Sequence, residues 1–392
     1  MRVFASTVLA CVAAFAVAAS PSTSDALRTI ASKAEASHSD AVLVQQGTRT
    51  LLDTSTDTPV ALMSATKSIV ALAIGLLIDD GRLASLDTPV SAIYPEWAQG
   101  RKRAITVRML LDHTSGLQNV ANAGVELEGA PDLVQLALAA ELDSEPGAAF
   151  AYNNKATNLL TGIVGTLAGE PIDAYLGRRL FAPLGITGTT WMRDAAGTPM
   201  GMAGLAMSAR DLAKIGRLVL DRGLAPDGTR LLAADYVDRM LAPGARSPEV
   251  GLLWWRNAAW ERFTLRAEAA GLLEAKSVAP DVRAAVLATA GRTFDSRADL
   301  VASLARSLGA QWADRYGTEI TARGIRLTDL FETERGPVRA FSANGFLGQY
   351  LVIVPERDLV AVRQIERRDT HVAADDYPDF VADVLRLADS LR

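Results

Sequence analysis

The apolar run from Ile69 to Ile78 contains no charged or polar side chain, and it ends at Asp79-Asp80-Gly81. A helix that is apolar on every side is a buried helix, whereas about ten residues are too few to cross a bilayer. Gly81 suits the left-handed position just past a helix end. The pattern therefore predicts a buried helix that runs into the core and ends near Ile78, with Ser64 at or just before its N-terminus and Lys67 in its first turn.

Strand-like patterns lie towards both ends of the chain, and helical periodicity fills the middle. The predicted strands are a pair around Gly47 within 41–52, and 250–255, 262–266, 284–289, 340–343, 349–354 and 359–364. The further predicted helices are 26–37, 132–142, 155–167, 171–181, 208–221, 233–241 and 377–391. Strands separated by a long helical block indicate one sheet built from both ends of the chain, with a helical domain inserted.

This order of elements also predicts the domain boundaries. The sheet domain comprises residues 20–104 and 245–392, and the helical domain comprises residues 105–244. Residues 355–358, Pro-Glu-Arg-Asp, predict a hairpin turn between the last two strands. Residues 292–338 combine a helical pattern with a charged segment, and we interpret them as a local insertion.

Composition narrows the class of protein. The 392 residues are 49% hydrophobic and 22% charged, which is ordinary for a globular protein with an ample core. The formal net charge of −5 gives no electrostatic footprint for nucleic acid, so we predict no nucleic-acid partner.

Residues 1–19 have the pattern of a signal peptide, with Arg2 before an apolar stretch and a small-x-small cleavage site near Ala18. The single cysteine, Cys11, lies inside this segment, so disulfides and thiol chemistry are excluded from the mature chain. A lipoprotein box ending at Cys11 is disfavoured because its leucine is misplaced. We expect a periplasmic or secreted protein, with no second apolar segment long enough to anchor it.

Ser64 and Lys67 form the one Ser-x-x-Lys sequence of the chain, at the start of the predicted buried helix. Residues three apart share a helix face, so the two side chains can touch. Burial disfavours the ammonium form, and a neutral amine can take the proton of a serine nucleophile. The structural alternative is a serine cap followed by a surface lysine, but the apolar residues behind Lys67 argue against a surface position.

A serine–lysine pair also needs a second proton carrier and an oxyanion site, and three further segments stand out. Tyr152 and Asn154 lie just before a predicted helix, where a tyrosine can present its phenol to a cleft. Residues 113–117, His-Thr-Ser-Gly-Leu, are best interpreted as a structural turn. Residues 342–349 form a glycine-rich lead-in to a strand, where a backbone approaches a ligand closely.

In this order the four motifs resemble those of the serine β-lactamase and penicillin-binding-protein superfamily. The closer similarity is to its class C-like branch, which includes class C β-lactamases, D-alanyl-D-alanine carboxypeptidases, family VIII carboxylesterases and 6-aminohexanoate-dimer hydrolases. The resemblance covers most of the mature chain and is supported by five stretches: 111–117, 150–154, 180–185, 204–216 and 251–255.

The resemblance implies an α/β fold in which an antiparallel β-sheet is flanked by helices and an all-helical domain is inserted, with the site between the two domains. It implies that Ser64 is the acylated nucleophile, while Lys67 and Tyr152 share the proton transfers. Asn154 would orient Lys67 and the substrate. The backbone N–H groups of Ser64 and Phe346 would form the oxyanion hole, beside Asn344 and Gly345.

The last of the four motifs departs from the family pattern. Ala343-Asn344-Gly345 stands where Lys-Thr-Gly or His-x-Gly is usual. The missing lysine removes a cation for a substrate carboxylate, and an unpaired carboxylate in a cleft is costly. We therefore expect an uncharged acyl substrate, unless Arg339 or Arg363 supplies the charge from a neighbouring position.

We accordingly expect a serine hydrolase that cleaves small carboxylic esters. An amide-cleaving enzyme of the same fold is the alternative, either a β-lactamase, a D,D-peptidase or an oligoamide hydrolase. A non-catalytic binding protein of this fold is a further alternative. A Ser-His-Asp esterase is disfavoured because no Gly-x-Ser-x-Gly sequence occurs. The three histidines, His38, His113 and His371, also lack the spacing of metal ligands. No metal or other cofactor is expected.

Overall fold

The computed structural model describes residues 22–119, 127 and 129–391. The predicted signal peptide lies outside the described residues. The strands, labelled in chain order, are β1 Ala41–Gln46, β2 Arg49–Asp53, β3 Val60–Ala61, β4 Thr190–Trp191, β5 Leu205–Met207, β6 Trp255–Ala258, β7 Glu261–Leu265, β8 Thr293–Phe294, β9 Phe331–Arg335, β10 Val338–Gly345, β11 Gln349–Val354 and β12 Leu359–Gln364.

The α-helices are labelled in the same way. They are α1 Thr23–Ala36, α2 Thr66–Asp79, α3 Val107–Leu111, α4 Leu133–Ala139, α5 Asn154–Ala168, α6 Ile172–Leu176, α7 Ala209–Leu220, α8 Ala234–Leu241, α9 Ala269–Ala275, α10 Pro280–Leu287, α11 Arg297–Leu308, α12 Trp312–Glu319, α13 Leu327–Leu330 and α14 Phe380–Ser390. Among the described residues, no helix has the length and apolar character needed to span a membrane.

A six-stranded antiparallel sheet has the order β2-β1-β12-β11-β10-β6. β1, near the start of the chain, pairs with β12, near its end, and Ala41 lies opposite Gln364. The sheet is therefore built from both ends of the chain, and the predicted fold class is confirmed.

The two faces of this sheet enter different cores, because successive side chains of a strand point to opposite sides. Val360 and Val362 of β12 join the core that also contains α2 and α5. Leu359 and Ala361 instead pack with α1 and α14 on the other face. The sheet and the helices of the middle region thus share one core, and the domain boundaries predicted at 104/105 and 244/245 stay a prediction.

The predicted buried helix is α2, in which every residue from Thr66 to Leu77 is buried. Ser64 lies just before the helix, as expected, in a 3₁₀ turn over Met63–Ala65 that follows β3. This turn delivers Ser64 to the amino end of α2 and lies against the end of β10, so the helix and the sheet jointly position the nucleophile candidate.

An inserted module, residues 261–335, interrupts the central sheet between β6 and β10. It has its own antiparallel sheet, in the order β8-β7-β9, and its own apolar core, which includes Phe263, Leu300 and Phe331. Its two ends lie side by side, since the amide of Ala259 donates to the carbonyl of Pro337 at 2.8 Å. The insertion interpreted at 292–338 is therefore larger and begins at β7.

Two predicted strands are wrong. Residues 284–289 fall largely in α10, which begins at Pro280 and buries Val282, Ala285 and Val286, a spacing of three and four residues. Residues 250–254 form a loop in which Leu253 has a φ of +59°, and a strand begins only at Trp255. A short apolar run does not distinguish a strand from a buried helix or loop.

Candidate active site

Ser64 lies in the 3₁₀ turn that leads into α2, and Lys67 lies in the first turn of that helix. The Lys67 Nζ donates to Ser64 Oγ at 3.0 Å and to the carbonyl of Met202 at 2.6 Å. Lys67 is 3% exposed, so the predicted buried pair is present in the structure. The surface alternative for Lys67 does not apply.

Burial lowers the pKa of Lys67 to about 7. Its two hydrogen bonds go to uncharged oxygens, and the ring of Tyr152 lies 5.0 Å from its Nζ. A buried ammonium without a carboxylate is disfavoured relative to the neutral amine. Lys67 is thus placed, in position and in protonation, to accept the proton of Ser64 near neutral pH.

Tyr152 also contacts Ser64. Burial raises the pKa of its phenol above the ordinary value, and a hydrogen bond with Ser64 opposes part of that rise. The ring stacks on Trp255, with centroids 6.4 Å apart, and lies 4.7 Å from the ring of His113. Tyr152 therefore remains a neutral phenol, a hydrogen-bond donor and proton carrier close to the serine.

Two adjoining cavities open on these side chains. The inner cavity is lined by Ser64, Lys67, Ser68, His113, Tyr152, Val250, Leu253, Trp255 and Asn344. The outer groove has a volume of about 750 Å³ and runs from Ser64 and Tyr152 along Trp255, Asn344 and Phe346 to the inserted module and α14. The four motifs found in the sequence, at residues 64–67, 113–117, 152–154 and 342–349, thus meet at one place.

The segment at the end of β10 approaches the nucleophile closely. A Cβ on Gly345 would lie 2.2 Å from the carbonyl oxygen of Leu62, so no larger residue fits without moving the backbone. Gly345 and Phe346 line the outer groove, and Phe346 is 66% exposed. The oxyanion role of the Ser64 and Phe346 amides stays a prediction that this close approach supports.

Among the described residues that line the inner cavity, no cation other than Lys67 replaces the lysine that is missing at residues 343–345. Ala343 is fully buried in the core. Arg339 pairs with Glu356 and Asp389. Arg363 is buried, and its guanidinium donates to the carbonyls of Leu347 and Gly348, both at 2.8 Å. Neither arginine restores the charge.

Asn154 is the first residue of α5, and Asn153 caps that helix. The Asn154 Oδ1 is buried and has no hydrogen-bond partner in the described part of the chain. None of the described hydrogen bonds joins Asn154 to Lys67, which pairs with Met202. The orienting role assigned to Asn154 stays a prediction.

The sequence interpretation missed two residues that position Lys67, Met202 and Asn158. The carbonyl of Met202 accepts from Lys67, and the Met202 amide donates to Asn158 Oδ1 at 3.0 Å. Asn158 lies one helical turn after Asn154, so it shares a face of α5 with that residue. Asn158 could have been identified from its spacing to Asn154 and from its polar side chain in a largely apolar helix.

His113 fits its interpretation as a turn residue. It has a φ of +57°, and its Nδ1 accepts from the amide of Asn153 at 3.2 Å. Burial, with a smaller contribution from the charge of Lys67, lowers its pKa to about 3. A histidine that stays neutral throughout the physiological range acts here by packing against Tyr152.

The other two histidines lie elsewhere, where His38 contacts Asp375 and His371 contacts Asp376. Within the described ranges, no group of three or more histidine, cysteine, aspartate or glutamate side chains is arranged to hold a metal ion.

The antiparallel sheet, the helical region and the Ser64–Lys67–Tyr152 cluster are arranged as in serine hydrolases of the β-lactamase and penicillin-binding type. The chain belongs to the beta-lactamase family, whose model matches residues 27–386.

Individual relatives are more distant. The 6-aminohexanoate-dimer hydrolase of Paenarthrobacter ureafaciens is 29% identical over 252 residues, which cover 57% of this chain and 63% of that protein. Esterase EstB of Burkholderia gladioli is 33% identical over 149 residues, which cover 33% of this chain and 38% of the esterase. The chain thus spans less than two thirds of each of these curated relatives.

The fold of a solved structure is similar to that of nearly the whole chain. A putative beta-lactamase from Bacteroides dorei has a TM-score of 0.62 at 18% identity, and it covers 93% of this chain and 98% of its own. At that identity the similarity shows the fold, and the chemistry rests on the site described above.

Proposed function

We propose that this protein is an exported serine hydrolase that cleaves carboxylic esters through an acyl-enzyme on Ser64. One observation carries the proposal. Lys67 Nζ lies 3.0 Å from Ser64 Oγ, and burial brings its pKa to about 7. A serine hydroxyl becomes a nucleophile when a nearby base of suitable pKa takes its proton.

The reaction follows from the positions of the three side chains. Ser64 Oγ attacks the acyl carbonyl and its proton passes to Lys67. The carbonyl oxygen becomes an oxyanion, which the amides of Ser64 and Phe346 stabilise. The leaving alkoxide receives a proton through Tyr152 and departs as an alcohol. Water then attacks the acyl-serine, its proton returns along the same path, and the carboxylic acid and free Ser64 are released.

The lining of the site supports an uncharged acyl group. Of the arginines that line the outer groove, Arg256 donates to backbone carbonyls, Arg386 pairs with Asp383, and Arg297 belongs to the inserted module. The described lining of the inner cavity beside Ser64 offers no cation other than Lys67, and Arg339 and Arg363 are engaged elsewhere. A substrate carboxylate at this position would lose its hydration without gaining a cation. The relative named as esterase EstB is consistent with this substrate class.

The decisive experiment measures short-chain p-nitrophenyl ester hydrolysis by the purified protein and by Ser64→Ala. Turnover by the unaltered protein and none by the variant is the expected result, with Ser85→Ala, an exposed serine outside the site, as the matched control. Hydrolysis that persists in Ser64→Ala would refute the assignment. A fluorophosphonate probe should add its mass to Ser64, and an unlabelled protein would favour a non-catalytic binding function.

Amide cleavage is the second candidate, and Asn344 favours it. The Asn344 Oδ1 lines the inner cavity, is buried and has no hydrogen-bond partner within the described residues. A buried acceptor is stabilised by an N–H donor, which an amide substrate carries and an ester lacks. The relative named 6-aminohexanoate-dimer hydrolase is an amide-cleaving precedent. A panel of linear amides, nitrocefin and D-Ala-D-Ala peptides separates the two candidates by kcat/KM.

Export rests on the pattern of residues 1–19, and the proposed compartment is the periplasm or the exterior. N-terminal sequencing of the protein recovered from its native cells should find a mature chain that begins near residue 20. A protein recovered with Met1 in the cytoplasmic fraction would contradict this proposal.

A further inference from the structure

The inserted module contains a cavity of its own, apart from Ser64. Its volume is about 460 Å³, within the range of about 300–1,000 Å³ that small-molecule sites occupy. One face of α11 forms its wall, with Arg297, Leu300, Val301 and Leu304 at a spacing of three and four residues. Trp312 and Tyr316 of α12 form the opposite wall.

Two polar groups line this mostly apolar space and make no described hydrogen bond, the buried hydroxyl of Tyr316 and the guanidinium of the exposed Arg297. The hydroxyl of Tyr316 is buried and has no hydrogen bond among the described residues. The guanidinium of Arg297 makes no described hydrogen bond or ion pair. Burial raises the pKa of Tyr316, and the nearby charge of Arg297 opposes part of that rise. A buried hydroxyl without a partner is costly unless a ligand or water completes it.

The carboxylates near Arg297 are already engaged. Arg335 pairs with Glu249 and Glu261, which line the neighbouring cavity with Arg297. Asp295 pairs with Arg262. Arg326, the second arginine on this cavity, pairs with Asp329. Arg297 is therefore the cation that remains available at this cavity, and it also borders the outer groove.

We propose that this cavity binds an apolar carboxylic acid, with its chain against the apolar face of α11 and its carboxylate at Arg297 and Tyr316. A guanidinium and a phenol are both donors, and a carboxylate is an acceptor that matches the pair. The hydrocarbon chain of this acid would bury its methylene groups against Leu300, Val301 and Leu304, whereas a polar ligand without such a chain would not.

Isothermal titration of the full chain with octanoate, and with 1-octanol as the neutral analogue, tests the site. Octanoate should bind saturably, and Arg297→Gln should weaken it at least about tenfold while leaving octanol unchanged, since one charge-assisted contact is lost. Arg306→Gln removes the same charge from an exposed position of α11 outside the cavity and should change nothing. Val301→Trp fills the space and should abolish the binding of both ligands. Circular dichroism checks that this variant folds.

Equal octanoate affinity in Arg297→Gln and in the unaltered protein would overturn the proposal, as would the absence of saturable binding. If Val301→Trp does not fold, Val301→Phe takes its place. Ser64→Ala should bind octanoate normally, because the site requires no turnover. A failure of ester hydrolysis therefore leaves this proposal standing, and a failure of octanoate binding leaves the proposed hydrolase standing.

Discussion

At the scale of single residues, the proposed function depends on an amine that is kept away from water and from carboxylates. Lys67 is 3% exposed and bonds to a hydroxyl and a carbonyl. The groups that face it are His113, which stays neutral because burial lowers its pKa to about 3, and Tyr152, whose pKa burial raises. Lys67 is thus the group of this cluster that titrates near neutrality.

This assignment predicts the pH profile of hydrolysis. The neutral amine is the base, so kcat/KM for a p-nitrophenyl ester should rise as the pH increases through about 7, the pKa of Lys67, and then level off. Tyr152 should not end the plateau below pH 10, because its pKa lies above the ordinary value. Rates are measured from pH 5 to 9.5 with the uncatalysed rate subtracted. A profile without a step between pH 6 and 8 would contradict the assignment.

The same burial has a cost in stability. Between pH 7 and 10.5 the unfolded chain binds a proton at Lys67 that the folded chain does not, so folding grows less favourable as the pH falls through this window. Below about pH 7 the cost is constant. Lys67→Met should remove it and raise the free energy of unfolding by about 2 kcal/mol at pH 7 while abolishing hydrolysis.

Urea denaturation of Lys67→Met and of the unaltered protein at pH 7 and pH 10 measures this effect. The difference between the two proteins should shrink at the higher pH. An exposed lysine far from the site, Lys276→Met, provides the control. A Lys67→Met protein that is less stable at pH 7 would show that the hydrogen bonds to Ser64 and Met202 outweigh the burial of the amine.

At the scale of elements, α5 positions the base through the backbone of another segment. Asn158 Oδ1 accepts from the Met202 amide, and the Met202 carbonyl accepts from Lys67. Asn158→Ala should lower kcat about tenfold to a hundredfold with little change in KM, because a small misplacement of the base slows the chemical step. Ile163→Val, a buried change elsewhere on α5 that removes no hydrogen bond, is the matched control.

Kinetics alone would not separate positioning from general destabilisation. The pH midpoint of kcat/KM should therefore also shift in Asn158→Ala, since the environment of Lys67 changes, and should stay in place in Ile163→Val. Equal losses of kcat in both variants would indicate that Asn158 has only a structural role.

The elements also show where sequence patterns succeed and fail. Residues 349–354 and 359–364 alternate apolar side chains between two buried faces, and both strands were predicted with the bounds that the structure has. The run 284–289 is equally apolar, but its burial follows a helical spacing in α10. Ser64, Lys67 and Tyr152 were predictable because each lies at a helix start. Met202 acts through its carbonyl, which every residue type carries, so its role had no signature in the sequence.

At the scale of the whole molecule, the chain consists of a body that carries the Ser64 site and an inserted module whose core is separate. The cores that surround α2 and the central sheet contain no residue of 261–335, and the module core contains no residue outside it. The two connecting segments form a continuous antiparallel ribbon, in which Gly336 donates to Trp260 at 3.0 Å. A body without the module should therefore fold, since no buried apolar contact of the central core would be lost.

Replacement of residues 261–335 by an Asn-Gly turn tests this division, because that dipeptide closes a two-residue hairpin between paired strands. The shortened protein should unfold cooperatively and react with fluorophosphonate at Ser64, whose partners Lys67 and Tyr152 lie outside the module. It should lose octanoate binding and, since the module forms one wall of the outer groove, hydrolyse long-chain esters with a raised KM. Loss of labelling at Ser64 in a folded protein would show that the module takes part in building the catalytic site.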